Sequence, residues 1–479
     1  MKKRKEKKET IGYLPDERPQ FWKLLLYAIQ QVIVMFPATV AVALITGFHI
    51  STTIFASGLA TICFILITKR EIPLYYGSSF SYVTAIGSLM ASESLANSTL
   101  NEKIAVAQFG IIMSGFVSII AGFIVKKFGR NAIEKVLPAT ITGPVAIIIG
   151  LTLAGNALTD ACSLASAGAV LDSQITLATN LAWVVSLVTL LSTIFFSVYL
   201  KGVWGQLPIL FGPILGCVVA LIIKLTTGID LFRVLPETAS SGIFALPIFT
   251  LPKPSWLAVA AIMPIAIATI PESTAHIYQL DIYINDLAKK KKSSKRYNLA
   301  DKLGLNLIGD GIGDMVSAFV GGPAGTNYGE NISAMAITKV FSTSVLIGAA
   351  IIAMVVACFT PLINIIYSLP TAVIGGLEIF LFGAIAAQGM AIMIDKKVDM
   401  FSSKNIAVIA TIMIIGVGGQ YAFGGNIPFF GLNVPCVAGA AVFGILLNLA
   451  LSINFKRKER KQIEEQAGKT VIEETASVK

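Results

Sequence analysis

Seven separate stretches of mostly apolar residues stand out along this chain: 21–47, 51–68, 104–125, 175–199, 206–223, 343–366 and 433–453. A helix needs about 20 such residues to cross the hydrocarbon core of a bilayer. Inside that core only helices and closed barrels satisfy their own backbone polar groups, and long uniform apolar runs are helices. With 55% hydrophobic and 13% charged residues, the composition excludes a soluble globular protein. The opening MKKRKEKKET lacks the short apolar core and cleavage site of a removed signal peptide, so the first apolar run is expected to remain as a span.

The net charge of +10 does not point to nucleic acid, because the basic residues are confined to particular connections. They cluster in the N-terminal tail, at Lys69 and Arg70, at Lys126, Lys127 and Arg130, at Lys201, across 289–296, at Lys396 and Lys397, and across 456–461. The other connections hold only Lys103, Lys224, Arg233 and Lys253. Cytoplasmic loops carry the excess of Lys and Arg. An all-α integral membrane protein of fourteen spans, both termini cytoplasmic, places every cluster on one side. The run 289–296 then reads as a solvated cytoplasmic loop near anionic lipid.

Two carboxylates interrupt membrane-grade sequence: Glu272 in IPESTAHIYQL and Glu330 in NYGENISAMAITK. An ionisable side chain at that depth is costly and normally faces a water-filled cavity, where it handles a substrate or a proton. The Gly-rich run before Glu330 and the segment IPLYYGSSF make poor continuous helix. Spans 3 and 10 are therefore expected to be broken, each with a short extended piece followed by a half-helix whose free N–H groups point to the membrane centre.

Three internal matches suggest a repeat. Pro37-Ala38-Thr39 resembles Pro271-Glu272-Ser273, and Tyr76-Gly77-Ser78 resembles Tyr328-Gly329-Glu330. Leu137-Pro138 with Gly143 resembles Leu369-Pro370 with Gly375. Seven spans per copy invert the second copy, and inverted repeats place the substrate at their common axis near the midplane. The five scattered cysteines read as small packing residues, with no spacing for a metal or a redox pair. No metal cluster, nucleophile triad or phosphate loop is evident, so neither an enzyme nor a cofactor is expected.

Glu330-Asn331-Ile332-Ser333 with Thr338-Lys339 resembles the signature of the nucleobase–ascorbate transporter family, with the leading acid typical of its bacterial uracil permeases. The resemblance runs from about residue 18 to about 458, and Gln30, Gly77-Ser78-Ser79-Phe80, Leu137-Pro138, Glu272 with His276, and Asp310-Gly311 extend it. Four positions depart from the pattern: Gln31 replaces a His, Ser333 a Gly, Phe382 a Tyr, and Glu378 is an unusual acid within its span. The resemblance implies a core of spans 1–4 (20–128) and 8–11 (254–367). It implies a gate of spans 5–7 (129–253) and 12–14 (368–455), with cytoplasmic tails 1–19 and 456–479 and a homodimer through the gates. Alternating access would move core against gate, in the plasma membrane.

The implied cargo is uracil, a planar ring with two N–H donors and two carbonyl acceptors. Glu272 and Glu330 are expected to accept the N–H groups, and the backbone of Gly329, Glu330, Ser79 and Phe80 to donate to a carbonyl. Phe80 and Tyr328 are expected to cover the ring faces. His276 lies one turn after Glu272 on the same helix face. Two carboxylates close together in low dielectric favour proton uptake, so Glu272 is expected to be the proton acceptor and His276 its modulator in proton symport. Gln30, Asn331, Asp310 and Thr338 are expected to support the site, with Asp310 and Asp314 bracing span 9. The rival readings are a purine or xanthine permease, disfavoured by Glu at 330, and a sulfate-permease-type anion carrier. Two site carboxylates repel an anion, and such carriers have a large C-terminal domain where this chain has a short polar tail.

Overall fold

The structure is a computed structural model that describes residues 12–129, 136–164, 172–201, 207–235, 242–430 and 432–452. The expected tails beyond residues 11 and 452, and Arg130, lie outside the described residues. The fold is overwhelmingly helical. Its helices are α1 (Phe21–Thr46), α2 (Ile50–Ile67), α3 (Val83–Met90), α4 (Leu100–Phe128), α5 (Ala139–Thr152), α6 (Ala154–Cys162), α7 (Ile175–Tyr199) and α8 (Pro208–Thr227). They continue with α9 (Trp256–Ile262), α10 (Ala266–Lys290), α11 (Leu303–Phe319), α12 (Gly329–Thr338), α13 (Thr343–Ala357), α14 (Thr360–Tyr367), α15 (Thr371–Asp395), α16 (Ser403–Phe423) and α17 (Cys436–Ser452). Among the described residues, nine helical segments are long and apolar enough to cross a membrane, with shorter apolar helices at Phe80–Met90, Thr343–Ala357 and Cys436–Ser452.

Several apolar runs break where the sequence suggested one helix. Residues 343–366 form α13 and α14, because Pro361 cannot continue the ladder and sits at the start of the second helix. The backbone freed at that break is used: Ala245 N–H donates to Cys358 O at 3.0 Å and Thr360 N–H to Ile243 O at 3.0 Å. The run 433–453 opens as strand β4 (Leu432–Pro435), paired with β3 (Asn426–Phe429), before it becomes helical.

Small residues draw the helices together. A Cβ on Gly115 of α4 or on Gly311 of α11 would overlap the other residue's carbonyl oxygen. Gly143 of α5 and Gly389 of α15 crowd one another in the same way. Close backbone approach through small residues is how helices associate where lipid removes the hydrophobic drive.

The two extended pieces are present as β1 (Tyr76–Ser78) and β2 (Gly325–Asn327), fully buried and antiparallel. Tyr76 pairs with Asn327, Gly77 with Thr326 and Ser78 with Gly325. Ser79 N–H to Ala324 O and Tyr328 N–H to Tyr75 O, both 2.9 Å, extend the ladder at its ends. Each strand leads into a helix start: a single 3₁₀ turn, Phe80–Tyr82, before α3, and α12 after β2. This register corrects the expected match of Tyr76 with Tyr328. The pair is symmetric about Gly77 and Thr326, so Tyr76 corresponds to Gly325, Phe80 to Gly329 and Ser81 to Glu330. Matching the tyrosines shifted the halves by three residues.

From Gly12 onward the expected N-terminal tail is part of the folded body. Tyr13 N–H donates to Lys339 O at 2.8 Å, and Phe341 N–H to Tyr13 O at 2.8 Å, so this segment pairs with the end of α12. Lys291 Nζ reaches Glu17 Oε1 at 2.7 Å and Lys295 Nζ reaches Asp16 Oδ2 at 2.8 Å. Two lysines of the mostly exposed run 289–296 thus also hold the N-terminal segment in place. Partial burial works against ionising Asp16, but bonds from Lys295 and Tyr297 outweigh it and hold the carboxyl below its ordinary range.

Candidate functional site

A cavity of about 470 Å³ lies where β1, β2 and the two helix starts meet α10. Ligand sites are commonly clefts of about 300–1,000 Å³ with few, well-placed polar groups. Of the residues expected to touch a substrate, Phe80, Glu272, Tyr328, Gly329 and Glu330 line it, and so does His276. Glu330 lies in the first turn of α12 and Glu272 in mid-α10 just after Pro271. The opposite wall comes from α5, with Thr142, Ala146 and Ile149, and from α15, with Ile385, Gln388 and Ile392.

The details refine the expectations. Ser81, which corresponds to Glu330 in the other half, donates its hydroxyl to Glu272 Oε2 at 3.4 Å. One half-helix therefore offers a hydroxyl where the other offers a carboxylate. Gly329 has no side chain because His276 occupies that space: a Cβ there would lie 3.0 Å from His276 Nε2. His276 is 7% exposed, and its Nδ1 has no hydrogen-bond partner among the described residues.

Tyr328 is a wall rather than a free stacking ring. Its ring packs on Gly77, its hydroxyl donates to Ser78 O at 3.0 Å, and that hydroxyl lies 2.9 Å from Thr39 Oγ1. Phe80 remains the half-buried aromatic of the cavity. Ser79 does not line the cavity; it is buried, and its hydroxyl caps the 3₁₀ turn by accepting from Ser81 N–H at 3.3 Å.

The supporting residues divide. Asn331 Nδ2 donates to Gln31 Oε1 at 2.7 Å and to Gln31 O at 3.0 Å, so α1 braces the signature helix through Gln31. Gln30, expected to support the site, lines instead a separate cavity of about 320 Å³ with Leu26, Tyr27 and Leu207. The neighbouring glutamines lie about 100° apart on the helix, so only one of them reaches α12. Thr338 bonds back to Ala334 O at 2.9 Å within its own helix and lies outside the cavity lining.

Asp310 and Asp314 both brace the strand crossing. Asp314 Oδ1 accepts from Tyr76 Oη at 2.5 Å and from Gly325 N–H at 2.8 Å, tying one carboxylate to both strands. Asp310 Oδ1 accepts from Asn327 Nδ2 at 2.7 Å, and its other oxygen accepts from the Ser273 hydroxyl. Phe382 stays away from the cavity, packing with Val83, Leu153 and Leu381. Glu378 is 1% exposed, and neither oxygen has a hydrogen-bond partner among the described residues.

A second cavity of about 520 Å³ shares Thr142, Pro271, Ala275, Gln388 and Ile392 with the first and continues to Asp395 and Lys396. Sequence reasoning missed Ser81, Thr142 and Gln388. Correct strand register singles out Ser81, and Gln388 is a lone amide in the apolar run of α15.

The sequence profile of the permease family matches residues 22–425. The chain belongs to that family. This permease-family chain is a multi-pass membrane protein with the nucleobase–ascorbate transporter signature, and its relatives are named as permeases. It is 35% identical over 444 residues to the uracil permease of Bacillus caldolyticus, covering 91% of this chain and 94% of that one. It is 32% identical over 452 residues to the uracil permease of Bacillus subtilis strain 168, covering 93% and 96%. To the putative pyrimidine permease RutG of Escherichia coli K12 it is 32% identical over 440 residues, with 91% of both chains covered. Among solved structures it shares a fold with murine Slc26a9 in its inward-facing state (TM-score 0.62, 13% identity, 91% of this chain and 69% of that one). The transmembrane domain of a cyanobacterial bicarbonate transporter, BicA, gives a TM-score of 0.54 at 14% identity, with 89% and 96% covered. At such identities these two likenesses concern the fold alone.

Proposed function

We propose that this permease carries a nucleobase, uracil, into the cell by proton symport. The observation that carries the reading is that Glu272 and Glu330, from different helices, line one cavity with the aromatic Phe80 and the start of α12. The names of the relatives at 32–35% identity support the choice of base. Two carboxylates accept the two N–H groups of the ring, and N–H groups at the start of α12 serve a carbonyl. A base lacking an N–H leaves a carboxylate buried without a donor, which is the source of selectivity.

Enclosing two carboxylates together without a cation is costly. A proton taken up on Glu272, with His276 one turn away and Ser81 beside it, offsets that cost and couples proton to substrate. The fold is read as fourteen spans in two inverted repeats, the nine long segments being completed by the strand-broken and short helices. Within it, 20–128 with 254–367 form the core and 129–253 with 368–455 the gate. Rocking of one against the other gives alternating access, and two gates meet in a homodimer in the cell membrane. The second cavity runs toward Lys396, at an end of α15 read as cytoplasmic, which supports an inward-open conformation.

Uptake of labelled uracil into proteoliposomes, with and without an inward proton gradient, tests the reading. Gradient-stimulated uptake that xanthine fails to compete is expected. Uptake driven by a sodium gradient alone refutes the coupling, and preferential uptake of xanthine refutes the base.

A further inference from the structure

The cavity's two walls differ in chemistry. The wall built from α10, the strands and the helix starts carries both carboxylates, His276 and several hydroxyls, whereas the α5–α15 wall presents Ala146, Ile149, Ile385 and Ile392 with two polar side chains, Thr142 and Gln388. Between Thr371 and Asp395 the polar side chains of α15 are Glu378, which is buried away from the cavity, and Gln388. Gln388 is exposed and makes no hydrogen bond to another described residue. It also lines the second cavity, so it stands at the junction between site and access route. An apolar side chain would serve packing in this helix equally well, so the amide is a polar group open to water when the cavity is empty and to a ligand when it is filled.

The partner follows from the donor count, and this step rests on the nucleobase reading above. Glu330 and an unprotonated oxygen of Glu272 accept the ring N–H groups; each of the two ring carbonyls then needs a donor from elsewhere in the cavity. The start of α12 supplies backbone N–H groups on one side. On the facing wall the amide of Gln388 supplies N–H. A ligand shifts an equilibrium between open and closed states only if it binds them differently. A contact made from the α15 wall is gained or lost as the walls approach, unlike the contacts within the other wall.

We propose that Gln388 donates a hydrogen bond from its side-chain amide to an exocyclic carbonyl of the bound base, and is the polar contact through which occupancy is sensed by the α15 wall. The test compares wild type with Gln388→Leu and Gln388→Glu, using uracil, 2-thiouracil and 4-thiouracil as competitors of labelled uracil. Sulfur accepts hydrogen bonds weakly, so wild type should prefer oxygen over sulfur at the contacted position. Gln388→Leu should bind uracil about 3- to 10-fold more weakly and lose that preference at one ring position while keeping the other. Maximal uptake should fall further than affinity. Gln388→Glu, which offers acceptors where a donor is needed, should bind more weakly than Gln388→Leu. A side chain that only packs would leave the oxygen-to-sulfur ratios unchanged. Unchanged ratios in Gln388→Leu, or no preference at either position in wild type, overturn the contact while uracil uptake stands. Failure of the wild-type protein to bind uracil overturns the underlying reading and the contact with it.

Discussion

Gly77 has no room for a side chain. It lies at the centre of the strand crossing, and a Cβ built on it would overlap Cζ and Cε2 of Tyr328 and lie 2.8 Å from that residue's hydroxyl oxygen. Ordinary carbon contacts need about 3.5–4 Å, so in Gly77→Ala the ring must retreat by about 1 Å. That displacement breaks the contacts of Tyr328 Oη with Thr39 at 2.9 Å and Ser78 O at 3.0 Å. Overpacking costs about 1–3 kcal/mol and a buried hydroxyl left without partners about 1–3 kcal/mol, so the substitution should destabilise by about 2–6 kcal/mol. Tyr328 immediately precedes α12, whose first turn carries Glu330, so the disturbance reaches the site within two residues. Thermal melting in detergent and uracil binding should both suffer, binding by about 10-fold or more, since 1.4 kcal/mol is a factor of ten. Gly87→Ala is the control, because a Cβ on that glycine of α3 meets nothing within 4 Å. A Gly77→Ala protein that melts and binds like wild type refutes the packing argument.

Glu272→Gln should retain uracil binding within several-fold yet lose stimulation of uptake by an inward proton gradient; an unchanged pH dependence of uptake excludes the residue from coupling. Asp314→Ala should leave Gly325 N–H buried without its acceptor and Tyr76 Oη with only the longer contact to Asp310 O at 3.3 Å, costing about 3 kcal/mol in thermal stability. Asp314→Asn, which keeps an acceptor oxygen, should recover a large part of that loss in the same melting assay. Since the Asp16 carboxyl lies below its ordinary range when folded, its contribution to stability is full above the unfolded value and declines only as pH falls through the folded one. Hydrogen exchange of the Tyr13–Lys339 pairing should therefore be unaffected by Asp16 titration near neutral pH and accelerated in Asp16→Asn.

The legible part of the fold was the part written in hydropathy and charge. Glu272 and Glu330 stood out because an acid at membrane depth needs a reason, and the Gly-rich run around Gly325 marked the break that became β2. Helix breaks were less visible: Pro361 lay inside a run whose apolar content hid the interruption. Strand register eluded the comparison of halves because side-chain likeness favoured pairing the two tyrosines, whereas backbone symmetry is set by Gly77 and Thr326. Gln31, rather than Gln30, reaches Asn331 because of helix phase, which no adjacent pair of identical residues reveals. Gln388 and Thr142 belong to helices distant in sequence from the acids, and only the packing of α5 and α15 brings them to the same cavity.

The most direct measurement is equilibrium binding of labelled uracil to purified protein and to Glu330→Gln. Losing a charge-assisted hydrogen bond is worth about 1.5–3 kcal/mol, so affinity should fall by about 10- to 150-fold while the melting temperature stays near that of the wild type. Affinity within about twofold of wild type, in a variant that remains folded, contradicts the claim that this carboxylate holds the ring.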